Sequence, residues 1–584
     1  MGYLRNFTLA TSTAVNHLAD DPMVLALQVS RRLPARFVQP LAKTVGRLLP
    51  ASFSAPALIA AHITGDTAGL QRRFEKAAAR GVNGNSARLA ADVALAAGQP
   101  AWADTFLASA SGASRLPATV ARRKWYDGDM SGAVAAVAGQ GGAMGQQHRR
   151  LAGELRTFSG WTPQLKPVAM SPIAGRVLHL ITNSLPHTGS GYAQRSHSIL
   201  TAQQDAGWQV LAATRLAYPV QVGKVLAREQ DVVDGVTYRR MIPRRLAATP
   251  DARLQQEAEQ LLRIALEFRP QVLHTTTHFT NGLVVGAVAT ALGIPWVYEV
   301  RGQLADTWAA TRGEDAKLSE RYTLFKEREA FVMDNANFVA TLGEAMKDSI
   351  IAAGIPARKI MIAPNAVGGD FLDEPRTHAD ARTALGLDPE LNYIGTVSSI
   401  VDYEGLDDLV AAFSILAPTH PSLRLLIVGS GTALPALQDQ AKRLGVADRV
   451  IFTGRVSRES ASLYHQSLDV FVVPRKDLDV TRAVTPLKPV EALASERPVV
   501  ASNLPALCEI IEENVNGRLS VADDPADLAS VLSALLADES SRERLGQSGR
   551  RNVLQTRTWA ANADAYGRAY KDLGESTERG NSAR

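Results

Sequence analysis

Apolar positions along the chain follow two different rhythms. From Arg176 onward, short continuous runs alternate with helical spacing: Arg176-Val177-Leu178-His179-Leu180-Ile181 opens the series, and further runs lie at 209–214, 236–241, 271–276, 296–300 and 338–342. Such runs predict strands buried on both faces, and their alternation with helices predicts a doubly wound parallel sheet. A second series near 393–398, 424–428, 449–453, 470–473 and 498–502 predicts the same architecture again. Two domains of this kind face each other across a cleft at the carboxyl ends of their strands. No apolar run approaches the ~20 residues of a membrane span.

Before residue 165 the rhythm is helical and the sequence is rich in Ala and Gly. Gly65-Asp66, Gly98-Gln99 and Gly128-Asp129 each close one helix and precede the next, with Leu70, Ala103 and Ala133 at matching offsets. The spacing of roughly 30 residues fits degenerate two-helix repeats over 55–150, and a plain helical bundle fits nearly as well. Either form suggests contact with a protein partner. The expected domains are a helical extension over 1–165, two Rossmann-like domains over 166–372 and 373–556, and a C-terminal helix with tail over 557–584.

Composition changes this picture in three places. With 584 residues and 46% hydrophobic content the chain is globular and too long for one core. A net charge of +5 is too small for a nucleic-acid partner at this size, but it is uneven: 23–65 contains no acidic residue and carries Arg31, Arg32, Arg36, Lys43 and Arg47 among apolar positions. That segment reads equally as a basic amphipathic surface for an anionic bilayer or as an ordinary helical pair. The amino terminus lacks a basic-then-apolar leader, which predicts a cytoplasmic protein, peripheral at the inner face of the membrane if the basic segment binds lipid. A single cysteine, Cys508, excludes an internal disulfide and reads as a buried small residue.

Candidate chemistry concentrates after the strand Val470–Val473. Pro474-Arg475 ends it, so Arg475 should face the cleft. Thr485 and Pro486 read as N-cap and first residue of a helix that buries Leu487, Val490, Leu493 and Ala494. The first turn of that helix offers free amides and the positive dipole end, to which Lys488 adds a charge, so a phosphate fits there. Glu491 lies on a neighbouring part of the same face and suits sugar hydroxyls. A solvated Lys-Glu pair is the bland alternative. In the first domain the loop Thr188-Gly189-Ser190-Gly191-Tyr192 lets backbone approach an anion or sugar closely. As a dinucleotide fingerprint it fails at Gln194, as does Gly429-Ser430-Gly431 at Leu434. His278 lies just past the strand holding His274, either pointing into the cleft or idle in a loop.

The run Pro474-Arg475, Val484 to Ala494, Arg497 to Ala501 and Glu509-Ile510-Ile511, closing at Asn516-Gly517, resembles the donor half of family 4 retaining glycosyltransferases of GT-B fold. The resemblance covers about 170–575. It implies transfer of a glycosyl unit from a nucleotide diphosphate sugar to a glycan or lipid-linked acceptor, with attack from the same face and neither metal nor other cofactor. It assigns Glu491 to the second Glu of the family's pair and places Ala483 at the first. The family's Arg and Lys for the diphosphate are also replaced, since Gly395-Thr396-Val397-Ser398-Ser399 leads to Glu404-Gly405. Arg475, Arg482 and Lys488 are the expected substitutes. Where many members carry a His, this chain reads Tyr298-Glu299-Val300-Arg301-Gly302, so Glu299 and Arg301 join His278 as candidates toward the acceptor or leaving phosphate. Asp477-Leu478-Asp479 spells an Asp-x-Asp string, to which no metal is assigned. The other classes open are a non-catalytic scaffold that keeps the nucleotide pocket, and a GT-B epimerase or phosphorylase.

Overall fold

The computed structural model describes residues 5–13, most positions of 40–49, then 54–64 and 66–582. Arg31, Arg32, Arg36, Lys43 and Arg47 of the basic segment lie outside the described residues. Among the described residues no helix is long and apolar enough to cross a membrane.

Two open sheets organise the chain. The first contains β1 (Arg176–Ile181), β2 (Gln209–Thr214), β3 (Gln230–Val233), β4 (Val236–Arg240), β5 (Val272–Thr276), β6 (Trp296–Val300), β7 (Phe338–Thr341) and β8 (Ile360–Ile362), in the order β3-β4-β2-β1-β5-β6-β7-β8. All pairings are parallel except the β3–β4 hairpin. The second contains β9 (Asn392–Val397), β10 (Leu423–Val428), β11 (Val450–Gly454), β12 (Val470–Val473), β13 (Val499–Ser502) and β14 (Gly517–Ser520), ordered β11-β10-β9-β12-β13-β14 and parallel throughout. Strand β12 is buried at every position, as its apolar sequence requires. Three strands escaped the sequence reading. They are β3, half polar at a sheet edge, β8, only three residues long, and β14, which starts on Gly517.

Among the described residues, a run of helices from Ala55–Thr64 to Gly142–Phe158 leads into the sheets. Asp66 and Asp129 cap two of them by accepting the amides of Gly69 and Gly132, both at 2.8 Å. The last one joins the first sheet's core through Phe158, which packs on Phe279 and Phe325.

The long helix Trp559–Ser582 returns to the first sheet, where Trp559, Tyr566 and Tyr570 are buried against its core. Tyr570 donates to His274 Nδ1 or accepts from it at 2.5 Å, and His274 stacks on His179. Cys508 corrects one expectation: it is exposed, with its thiol on Asn503 Oδ1 at 3.2 Å, because it ends a single turn at the surface.

Several buried or half-buried histidines are held neutral. Burial lowers His465 to about 3, and burial with the nearby Arg321 charge lowers His278 to about 4. His179 and His274 are lowered too, burial being the largest cause for each. In the unfolded chain these rings take a proton near pH 6.5, whereas the folded chain refuses it until much lower. Their contribution is therefore complete above about pH 6.5 and is lost as pH falls toward 4, at about 1.4 kcal/mol per pH unit for a ring such as His465. Denaturant unfolding at pH 7.5 and 5.0 should show the stability dropping at the lower pH; an unchanged midpoint would contradict neutral burial.

Candidate active site

The carboxyl ends of both sheets face a common cleft, and the residues named from sequence divide there into two groups. On the side of the second sheet, Arg475 follows β12 and is buried, with Nη1 donating to the Val484 carbonyl at 2.8 Å. Its other nitrogens meet a carboxylate that the sequence reading passed over as a missing cation. Glu404 accepts from Arg475 Nη2 at 3.1 Å and Nε at 3.3 Å, and from Lys488 Nζ at 2.7 Å. Burial alone would raise the Glu404 carboxyl, but Arg475 and then Lys488 outweigh it and hold it at about 2. Lys488 is itself lowered by burial, which Glu404 opposes. The pair of cations expected for a diphosphate is thus assembled on one buried carboxylate.

Local backbone explains the placement. Gly405 has φ +67°, and a Cβ there would lie 1.7 Å from the Pro474 carbonyl oxygen, so only glycine lets the two loops touch. This contact brings Glu404 beside Arg475.

The helix carrying Lys488 differs from the expected one. It runs Lys488–Ala494, seven residues, with Leu487 as N-cap and Pro489 in its first turn. Thr485 does not cap it: that residue is buried, its hydroxyl lacks a partner among the described residues, and its carbonyl accepts from Asn365 Nδ2 at 2.8 Å. Through that carbonyl Thr485 instead touches the first domain, and Leu487 packs on the first sheet's core. Val490, Leu493 and Ala494 are buried as expected. Glu491 keeps a side chain 25% exposed on the helix that bears Lys488, with His465 Nε2 at 3.7 Å. Arg482 is set apart. It is half exposed and tied to Asp477 by two contacts of 2.5 and 2.6 Å, a solvated pair. Asp479 pairs with Lys317 across the domains at 2.5 Å. Ala483 is buried against the first sheet's core.

On the side of the first sheet, Gly189 and Gly191 flank Ser190, which caps the helix Gly191–Asp205 by accepting the Ala193 amide at 3.4 Å. The next residue, Tyr192, is exposed, and both Arg301 and Arg475 act on its phenol, so it reaches between the two domains. Glu299 is fully buried at the end of β6. Its Oε1 accepts from Arg195 Nη2 at 2.7 Å and its Oε2 from Arg301 Nη2 at 2.6 Å. Arg195 also donates to the Ala363 and Pro364 carbonyls and to Asn365 Oδ1, while Arg301 reaches Ser196 Oγ at 2.7 Å. These bonds place Glu299 and Arg301 in a buried tie beneath the cleft. His278 also departs from its expected orientation. It caps the helix Phe279–Leu292 through Nδ1, and its ring packs on Phe279 and Phe325.

Two family models match along this cleft. The one described as Glycosyl transferase 4-like domain matches 190–366, and Glycosyl transferases group 1 matches 378–552. Together they cover more than half of the chain. The chain belongs to the family 4 glycosyltransferases of GT-B fold. Among curated relatives, the alpha-monoglucosyldiacylglycerol synthase of Streptococcus pneumoniae is 24% identical over 53% of this chain and 66% of its own length. The chain spans less than two thirds of the length of this and the next relatives it matches. Among solved structures, sucrose-phosphate synthase from Thermosynechococcus elongatus covers 69% of the chain and 100% of its own, with 20% identity and a TM-score of 0.57. Anabaena HepE in complex with UDP and glucose covers 68% of the chain and 99% of its own, with 15% identity and a TM-score of 0.54. Both share the glycosyltransferase fold.

Proposed function

We propose that the chain transfers a sugar from a nucleotide diphosphate sugar to an acceptor hydroxyl with retention of configuration, in the making of a cell-envelope glycan or glycolipid. One observation carries this reading: Arg475 and Lys488 converge within hydrogen-bond reach of one point at the cleft, with Glu491 one turn along the same helix. Two cations of this kind compensate a leaving diphosphate, so the transition state gains most where negative charge grows and no metal is needed. The acceptor oxygen bonds to the anomeric carbon as the bond from that carbon to the phosphate oxygen breaks. The departing phosphate oxygen takes the acceptor proton. Glu491 receives the ribose hydroxyls. Before the donor arrives Glu404 holds both cations in position, and the diphosphate then competes for them.

Support for the donor class comes from HepE, whose structure holds UDP and glucose, and support for a lipid-linked acceptor from the relative named alpha-monoglucosyldiacylglycerol synthase. The helices before residue 165 offer a surface for a protein partner. A second reading is favoured by Glu404, which halves the charge available to a diphosphate, and by Ala483: a scaffold that binds nucleotide sugars without turning them over. Incubating the protein with UDP-glucose, GDP-mannose and related donors, with and without a membrane extract, separates the two. Release of nucleoside diphosphate that rises with extract supports transfer; binding without release supports the scaffold.

A further inference from the structure

Beside the donor cations lies a pocket that neither the motif nor the family match assigns. It opens between the end of β6, the helix Glu320–Asn335 and the helix Glu344–Ala352, with about 420 Å³ of space that includes open solvent at its mouth. One wall is apolar, made by Met333, Met346 and Ile350, all buried. The opposite wall carries Glu329, Gln303 and Tyr298.

Two of these polar groups lack partners. Tyr298 is 1% exposed and its hydroxyl has no hydrogen bond among the described residues. Thr277 beside it spends its hydroxyl on the Glu299 carbonyl and the Arg301 amide. Glu329 makes no hydrogen bond or ion pair among the described residues, since its neighbour Lys326 is bound to Asp306 at 3.2 Å. Burial raises the Glu329 carboxyl to about 8 against the pull of Lys326, so near neutrality it both donates and accepts. The orphaned Tyr298 hydroxyl in that wall costs free energy until a ligand satisfies it.

The pocket also adjoins the donor site. Gly302 lines it, and a Cβ on Gly302 would lie 2.9 Å from the Tyr192 hydroxyl. Tyr192 in turn feels the charge of Arg475. Tyr192 therefore stands between the pocket and Arg475.

We propose that this pocket binds the acceptor as an uncharged pyranoside, its apolar ring face on Met333 and Met346 and its hydroxyls on Glu329, Tyr298 and Gln303. A phosphorylated head would meet no free cation there, because Lys326 is committed to Asp306. The proposal rests on the donor reading for its meaning, but its test does not.

Octyl glucoside, octyl mannoside and octyl galactoside, below micelle formation, serve as probes by saturation-transfer NMR, with nucleotide binding followed in parallel. The variant Ser349→Trp fills the pocket from its half-buried rim. At least one glycoside should bind the native chain and bind Ser349→Trp at least tenfold more weakly, with nucleotide affinity within twofold. Glu329→Ala, which removes the polar group without adding bulk, should also weaken the glycoside and decides the matter if the Trp variant fails to fold. Equal glycoside binding by native and variant chains, or none by the native chain, overturns the pocket. Absent nucleotide binding instead overturns the donor reading.

Discussion

Changing Lys488 to Met is expected to lower kcat/KM for the sugar donor by about 10- to 100-fold, the worth of one charge-assisted contact to a phosphate. The reasoning is geometric. Lys488 Nζ sits 2.7 Å from Glu404 in a buried cluster with Arg475, so its charge is already fixed where a diphosphate would lie. Losing it leaves Arg475 to hold Glu404 alone, and the neutralised cluster then has no surplus charge for the donor. Lys488→Arg should restore part of the loss, since its charge survives at a different reach. Steady-state kinetics with the preferred nucleotide sugar, alongside a far-UV spectrum to verify folding, provides the check. A fall of less than threefold in Lys488→Met would remove this residue from the donor site.

Glu299→Gln should cost about 3–5 kcal/mol of stability, the usual penalty for taking one partner from a buried ion cluster. Arg195 and Arg301 are each 4% exposed, and both are compensated by this single carboxylate. Arg195 further binds the segment 363–365 and lies over the Trp559 ring at 5.3 Å. Loosening it therefore frees the crossover helix and the link between the sheets together. Guanidinium unfolding followed by tryptophan fluorescence measures the change. If stability is retained while turnover disappears, Glu299 acts on substrate and the structural assignment is wrong.

Much of this architecture was legible because buried parallel strands write themselves as uninterrupted apolar runs; β2 and β12 coincide with the predicted ranges. The missed strand β3 is different. Its Gln230-Asp231 half is polar because it lies at the sheet edge, and the available signal was the turn that follows, Asp234-Gly235, both with positive φ. Arg475, Lys488 and Glu491 could be picked out because they cluster within a few residues of one strand and one helix. Glu404 could not, since its role depends on a contact across 84 residues to Lys488. Only Gly405 hinted at it, by demanding a close backbone approach. Thr485 misled for a related reason: Ser, Thr and Pro patterns report local capping, whereas here the carbonyl of Thr485 answers to Asn365 of the other domain. His278 likewise serves its own helix and an aromatic cluster that only tertiary packing assembles.

Isothermal titration of UDP, GDP, ADP and dTDP into the native chain and into Lys488→Ala/Glu491→Ala tests the donor pocket most directly. One nucleotide should bind the native protein at least tenfold more tightly than the others and lose that advantage in the double variant. Four nucleotides that bind both proteins alike, or neither, would contradict the account.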